Sequence, residues 1–275
     1  MRKSILAALW MVGCGSYTPI DSHFNKGVEF YDQGRTLDAI REYKLAIEDR
    51  QDHYRARFNL AVCYHDLGRL EDATREYEAA IKLQPENGRA LVNLASLRLE
   101  QGRESEAVSL LERAAKADRD SGDPQFAMGA YRQRKGEEEA ALGLYREAVK
   151  IHPKHIPAHY RIGLILARRS DLEGAVKEFD IALDSDPDDL AVLQSSSEAR
   201  EKKGDLRGAT HHLERALVRL RDRADLWVRL AALYEKQTRL EDAVAALWEA
   251  RGADPQIAVG AKLKSLYERL AVREK

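Results

Sequence analysis

Two cysteines, Cys14 and Cys63, are too few for a disulfide framework. Aromatic residues are only 7% of the 275 residues. No apolar run approaches the ~20 residues that cross a bilayer as a helix. Charge of one sign is missing too: 45 Lys and Arg face 46 Asp and Glu, a net charge of −1. That balance argues against a dedicated nucleic-acid binder. There is no phosphate loop, no nucleophile elbow and no His-Glu-x-x-His zinc motif. What remains is 44% apolar and 33% charged, enough to build a packed core and too apolar for wholesale disorder. The abundance of Ala, Leu, Glu and Arg leans towards helices packed closely through small residues.

The amino terminus has three parts in order. Met1-Arg2-Lys3-Ser4 is a basic head, Ile5 to Val12 is apolar, and Gly13 precedes Cys14. This is the layout of a secretory signal. Met-Val-Gly-Cys at 11–14 resembles the bacterial lipobox, with Met11 in place of the usual Leu. The resemblance implies a signal peptide over 1–13, lipidation of Cys14, and a short tether over 14–19. Cleavage would remove Arg2 and Lys3 and move the net charge from −1 to −3. Gly15, where lipoproteins held at the inner membrane commonly carry Asp, implies the outer membrane. Several acyl chains hold stably where one does not.

From residue 20 the chain repeats. Ala39, Ala73, Ala107, Ala141, Ala175, Ala209 and Ala243 recur every 34 residues. Ala46, Ala80, Ala114, Ala148, Ala182, Ala216 and Ala250 follow seven places later in each repeat. Gly34, Gly68, Gly102, Gly136 and Gly204 keep the period, with Ser170 and Thr238 standing in for glycine. Pro85, Pro153, Pro187 and Pro255 end four of the repeats, and the last reads Trp227-x2-Leu230-Ala231-x2-Tyr234. These residues resemble the tetratricopeptide repeat. Seven uninterrupted repeats cover 20–53, 54–87, 88–121, 122–155, 156–189, 190–223 and 224–257.

The expected fold is all-α: a right-handed superhelical solenoid of seven helix pairs, with a capping helix over 258–275. The alanines mark close helix crossings. The glycines mark turns that need a left-handed backbone. The prolines stop the second helix of a pair. One repeat cannot bury its apolar face alone, so neighbours share a core. In the cap, Leu263, Leu266, Tyr267 and Leu270 fall at helical spacing among Lys262, Lys264, Glu268 and Arg269.

The resemblance implies that the first helix of each pair lines a concave surface that holds a segment of a partner protein. The sixth residue of the first three repeats is Asn25, Asn59 and Asn93, an amide at each step. Such a ladder suits capture of a peptide backbone, but Asn is also common there in the family. The fifth residue is Phe24, Phe58, Val92, Phe126 and Tyr160, a stripe that is either a ligand pocket or core between helices. Arg55 and Arg89 stand at the second position. The thirteenth residue is acidic in Asp32, Asp66 and Glu100, then basic in Arg134, Arg168, Lys202 and Lys236. That sign change either orients a charged partner or is a solvated face balanced by Asp123, Glu198, Glu201 and Glu235. The family's carboxylate clamp for chaperone termini is broken, because Phe24 and Val28 are apolar.

Candidates for chemistry are weak. His152, His155 and His159 lie close in sequence and read as exposed loop histidines, and His211 and His212 read as solvated. Asp118, Asp120 and Asp123 around Gly122 resemble a fragment of a calcium loop without its spacing. Cys63 reads as a buried or half-buried, inert thiol. No metal, cofactor, small-molecule substrate or nucleic acid is expected, and no catalytic residue is assigned.

The expected function is a non-enzymatic scaffold: a lipoprotein of the bacterial outer membrane on its periplasmic face, holding a protein partner in its groove. Signal, lipobox, short tether and repeats together resemble the pilotins of type IV pili, which help secretin subunits reach the outer membrane. The alternatives are a general envelope adaptor for periplasmic hydrolases or other membrane machinery, and an accessory subunit of an enzyme.

Overall fold

In the computed structural model, residues 22–273 are described, and every regular element among them is an α-helix. The signal, Cys14 and the tether lie outside the described residues. The chain divides into two compact units that meet in sequence between Asp118 and Arg119.

The first unit contains α1 (Ser22–Asp32), α2 (Thr36–Asp49), α3 (Tyr54–Asp66), α4 (Leu70–Leu83), α5 (Gly88–Glu100) and α6 (Glu104–Ala117). The second contains α7 (Asp123–Arg134), α8 (Glu138–Ile151), α9 (Ile156–Arg168), α10 (Leu172–Ser185), α11 (Leu190–Lys203), α12 (Leu206–Leu217), α13 (Ala224–Lys236), α14 (Leu240–Ala253) and α15 (Gly260–Arg273). In both units each odd-numbered helix packs on the next to make a pair. The second helix of a pair then packs on the first helix of the following pair, as α2 on α3 and α8 on α9. Within each unit this is a solenoid of helix pairs, and α15 closes the second unit by packing on α14.

The repeating alanines explain the pairing. None of the fourteen is more than 1% exposed. A methyl there lets two backbones approach where a longer side chain would part them. A further contact escaped the sequence reading. At Gly27, Gly129 and Gly163 an added Cβ would lie 2.5, 2.7 and 2.6 Å from the ring atoms of Tyr43, Tyr145 and Phe179. Those three rings are buried, each on the second helix of its pair. Small residues on the first helix therefore make room for large ones on the second.

The turns follow the glycine pattern. Gly34, Gly68, Gly102, Gly136 and Gly204 all have positive φ, between 69° and 89°. Ser170 and Thr238 take the same conformation at φ 65° and 60° without the glycine that suits it. Pro85, Pro153, Pro187 and Pro255 each fall one residue past a C-cap.

The two units differ inside. In the first, buried apolar residues form one cluster running from Ala39 to Ala114. In the second they fall into three clusters. On α11 and α12, Ser196, Ser197, Thr210 and His212 are buried polar side chains. The cap is narrower than expected: Leu263 and Leu266 are buried, but Tyr267 is 49% exposed and receives a hydrogen bond from Trp248 Nε1 at 3.1 Å.

Candidate functional site

The first helices of the first unit build a cleft of about 570 Å³ between α1, α3 and the start of α5. Its lining includes Phe24, Asn25, Arg55, Phe58, Asn59 and Arg89. These are six of the nine groove residues expected from sequence. Asn93 is outside this lining, and Phe126 and Tyr160 belong to the second unit.

The aromatic and arginine side chains of the lining are held by the repeat. Phe24 sits 6.0 Å from the Tyr43 ring and 5.0 Å from the His53 ring, and Phe58 sits 5.9 Å from Tyr77. The same packing recurs in the second unit: Phe126 lies 5.5 Å from Tyr145 and Tyr160 lies 6.0 Å from Phe179. These four aromatics are thus half-buried against the second helix of their own pair, and Phe24 and Phe58 also line the cleft. Arg55 lies over Phe24 at 5.7 Å, and Arg89 over Phe58 at 5.8 Å. Both arginines are exposed.

The amide ladder needs correction. Asn59 donates its amide hydrogen to the Tyr43 hydroxyl at 3.3 Å, and Asn93 donates to Tyr77 at 3.4 Å. Both phenols are buried and need a partner inside the fold. Burial pushes the pKa of both upwards, and the donating amides pull partly back. Two rungs are therefore structural on their donor side. Asn25 is exposed and opens to the cleft. The Asn59 amide oxygen has no hydrogen bond among the described residues.

The histidines also differ from expectation. His155 is 4% exposed, because its Nδ1 accepts from the Ala158 N–H at 3.1 Å and caps α9. His53 caps α3 in the same way through the Ala56 N–H at 3.3 Å. An imidazole nitrogen here does what an Asn or Asp oxygen does at a helix start. The other His155 nitrogen lies 3.1 Å from Asp123, and the ring packs 5.1 Å from Phe126. His159 is buried between Glu178 at 2.6 Å and the Pro153 carbonyl at 3.0 Å. Only His152 of the three is exposed. Of the neighbouring pair His211 is exposed, while His212 is buried with its Nδ1 2.9 Å from the Ser196 hydroxyl. Burial, with Arg200 adding to it, holds His212 down at about pKa 4. Among the described residues no group of His, Cys, Asp or Glu is arranged to hold a metal. Cys63 is buried, and burial pushes its thiol up to about 12.

At the thirteenth position the charges are mostly engaged. Tyr31 donates to Asp66 at 2.8 Å, and His65 lies 3.2 Å from Glu100. Arg168 meets Glu138 at 2.5 Å, and Lys236 meets Glu201 at 2.9 Å. Glu201 also accepts from Arg229 at 3.1 Å. Glu235 instead turns to α15, pairing with Lys262 and Arg269.

This geometry defines a repeat scaffold with a concave, half-apolar cleft. Two family models, each described as tetratricopeptide repeat, match the chain, one over residues 68–130 and the other over 24–74, 126–189 and 197–256. The chain belongs to the tetratricopeptide repeat family. It is a scaffold of a kind suited to protein–protein interaction, and the fold is typically non-catalytic. No curated protein matches it. Among solved structures, the crystal structure of the APC/C hetero-tetramer Cut9-Hcn1 is similar at 16% identity with a TM-score of 0.59; 87% of this chain spans 48% of that one, about half its length. A Cytophaga hutchinsonii repeat-containing protein is similar at 16% identity and TM-score 0.55, over 85% of this chain and 96% of the other. The Pseudomonas aeruginosa pilF structure is similar at 18% identity and TM-score 0.55, over 73% and 91%. At these identities the likeness is of fold alone.

Proposed function

We propose that this protein is a lipid-anchored scaffold of the bacterial outer membrane, facing the periplasm, that captures a segment of a protein partner in the first unit's cleft. The convergence of Phe24, Asn25, Arg55, Phe58, Asn59 and Arg89 on one concave surface carries this reading. The anchor rests on the sequence of residues 1–15 alone. Of possible partners, a type IV pilus secretin subunit is favoured by the order of lipobox, tether and repeats that the chain shares with pilotins. Another envelope protein, such as a periplasmic hydrolase, is the alternative.

The test is a photo-reactive residue placed at Asn25 in the cleft, or at exposed Glu71 on α4, in the full-length protein in its native membranes. A partner crosslinked from Asn25 and not from Glu71 is expected. A secretin captured in this way would identify the partner, and a different envelope protein would shift the reading to a general adaptor. Equal crosslinking from both positions would overturn the groove reading. Separately, Cys14→Ser is expected to release the protein from membranes, and its persistence in the membrane pellet would refute the anchor.

A further inference from the structure

We propose that the exposed face of α15 is a second binding surface, separate from the first unit's cleft, and that it takes an acidic, amphipathic helix of a partner protein in place of a second helix. The repeat register carries this. The eighth residue of each repeat is small and buried: Gly27, Ala61, Ala95, Gly129, Gly163, Ser197 and Ala231, each 34 residues after the last. At Gly27, Gly129 and Gly163 that place lies against a ring of the pair's second helix. The next member of the column is Ser265 on α15, and it is exposed. α15 is therefore a first helix in register, and among the described residues no second helix follows it.

The face around Ser265 has room for one. Ser265, Glu268, Arg269 and Val272 share one side of α15, and with Thr238 and Leu240 they surround an open groove of about 440 Å³. Val272 is 75% exposed, the most of any large apolar side chain among the described residues. A helix laid here would cover Val272 and set a side chain over Ser265, which is helix-in-groove recognition. Charge selects the occupant. α15 carries Lys262, Lys264, Arg269 and Arg273 against Glu268 alone. Glu235 of α13 engages Lys262 and Arg269, and Lys264 stays exposed. Two copies of so basic a helix repel each other, which disfavours a second copy of this chain, whereas an acidic helix is attracted. The protein's own second helices show the type that fits. In α10, Glu173, Glu178, Asp180 and Asp184 stand against Lys177, and Phe179 supplies the ring that meets Gly163.

The probe is a fluorescent copy of α10, Leu172–Ser185, stapled between its exposed positions 173 and 177, because a free helix of 14 residues is marginal. Binding to the full-length protein is read by anisotropy. Ser265→Arg and Val272→Glu, both at exposed positions, are each expected to weaken it at least roughly tenfold without lowering Tm, while Glu71→Arg on α4 leaves it unchanged. The peptide with Phe179→Ala, and the peptide with Glu178→Lys, Asp180→Lys and Asp184→Lys, are each expected to bind less tightly by a similar factor. No binding of the parent peptide, or binding that neither α15 variant weakens, would overturn the proposal. Equal binding of the lysine peptide would overturn its acidic selectivity. A dimer of the protein in sedimentation that Ser265→Arg breaks would make a second copy the occupant and overturn the partner helix.

Discussion

The first helices of the two units carry their charges in opposite directions. In the second unit α7 and α13 begin with Asp123 and Asp225 and end with Arg134 and Lys236, and α9 ends with Arg168. Acid at the start and base at the end follow the helix dipole. In the first unit α3 and α5 begin with Arg55 and Arg89 and end with Asp66 and Glu100. The second unit's pattern is explained by helix stability and local pairing, as Asp225 with Arg223 at 2.8 Å and Lys236 with Glu201 at 2.9 Å. In the first unit the acidic ends are engaged by Tyr31 and His65 and the arginines lie over Phe24 and Phe58, but the order of charge runs against the helix dipole. The difference falls in the unit whose first helices line the cleft, Arg55 and Arg89 among the lining.

The strongest test of what the two units share is the alanine crossing. Ala73 and Ala141 are both fully buried at equivalent places. Leucine at either should cost about 1–3 kcal/mol by overpacking. Urea unfolding of Ala73→Leu and Ala141→Leu should give matching losses. A variant with no loss would show that its crossing is not close-packed.

How much of this is legible in sequence depends on what sets each contact. The alanines and glycines were readable because every pair repeats the same crossing and turn. Phe24, Phe58 and the two arginines were readable as groove residues because the first helix always presents that face. The partners of side chains were not. Asn59 and Asn93 share a column with Asn25, yet their donors go to tyrosines sixteen residues earlier, on the previous pair. His155 looked exposed between two prolines, but it lies at the repeat junction, where a ring nitrogen can cap the next helix and the ring face can cover Phe126. His212 looked like one of two solvated neighbours. Helical geometry turns adjacent residues about 100° apart, so one faces solvent and the other Ser196.

That buried histidine sharpens the internal difference between the units. Around the His212 ring stand Ser196, Arg200, Asp180, His211 and Arg215. Its folded pKa near 4 is below the ordinary 6.5, so the fold favours the neutral ring. Its contribution is complete above pH 6.5 and is lost as pH falls from 6.5 towards 4. The loss by pH 4.5 should be on the order of 2 kcal/mol. His159 acts in the opposite sense. Its pKa is raised despite burial, because Glu178 and the Pro153 carbonyl bond its two nitrogens. That stabilisation is present below pH 6.5 and fades as pH rises through the folded value. His212→Asn, which cannot titrate, should reduce the fall in urea midpoint between pH 7 and pH 4.5. An unchanged fall would remove His212 as its source.

The turns give a smaller contrast. The first unit has glycine at each of its left-handed turns, while the second has Ser170 and Thr238 at two of them. A β-branched residue at positive φ is strained. Thr238→Gly should stabilise by about 1 kcal/mol and Ser170→Gly by less, since left-handed backbone costs an L-residue roughly that much. Gly68→Thr should cost a similar amount in the first unit. Calorimetry reads this as a shift of about 2–4 °C in Tm. No rise for Thr238→Gly would mean that contacts of the threonine side chain offset its backbone strain.

The smallest effect bears most directly on function. If Arg55 and Arg89 are kept for a ligand, reversing them should not weaken the fold. An acidic residue in the first turn gains roughly 0.3–1 kcal/mol from the helix dipole, and the lost stacking on Phe24 and Phe58 offsets part of that. Arg55→Glu with Arg89→Glu should therefore leave Tm unchanged or slightly higher. Asp225→Arg should lower it, because that change removes the Arg223 pair and sets a cation against the same dipole. Salt should shrink both effects, since the charges are exposed. If reversing the arginines destabilised the fold as much as reversing Asp225, the charges of both units would serve stability alike. The case for Arg55 and Arg89 as groove residues kept for a partner would then lose its energetic support.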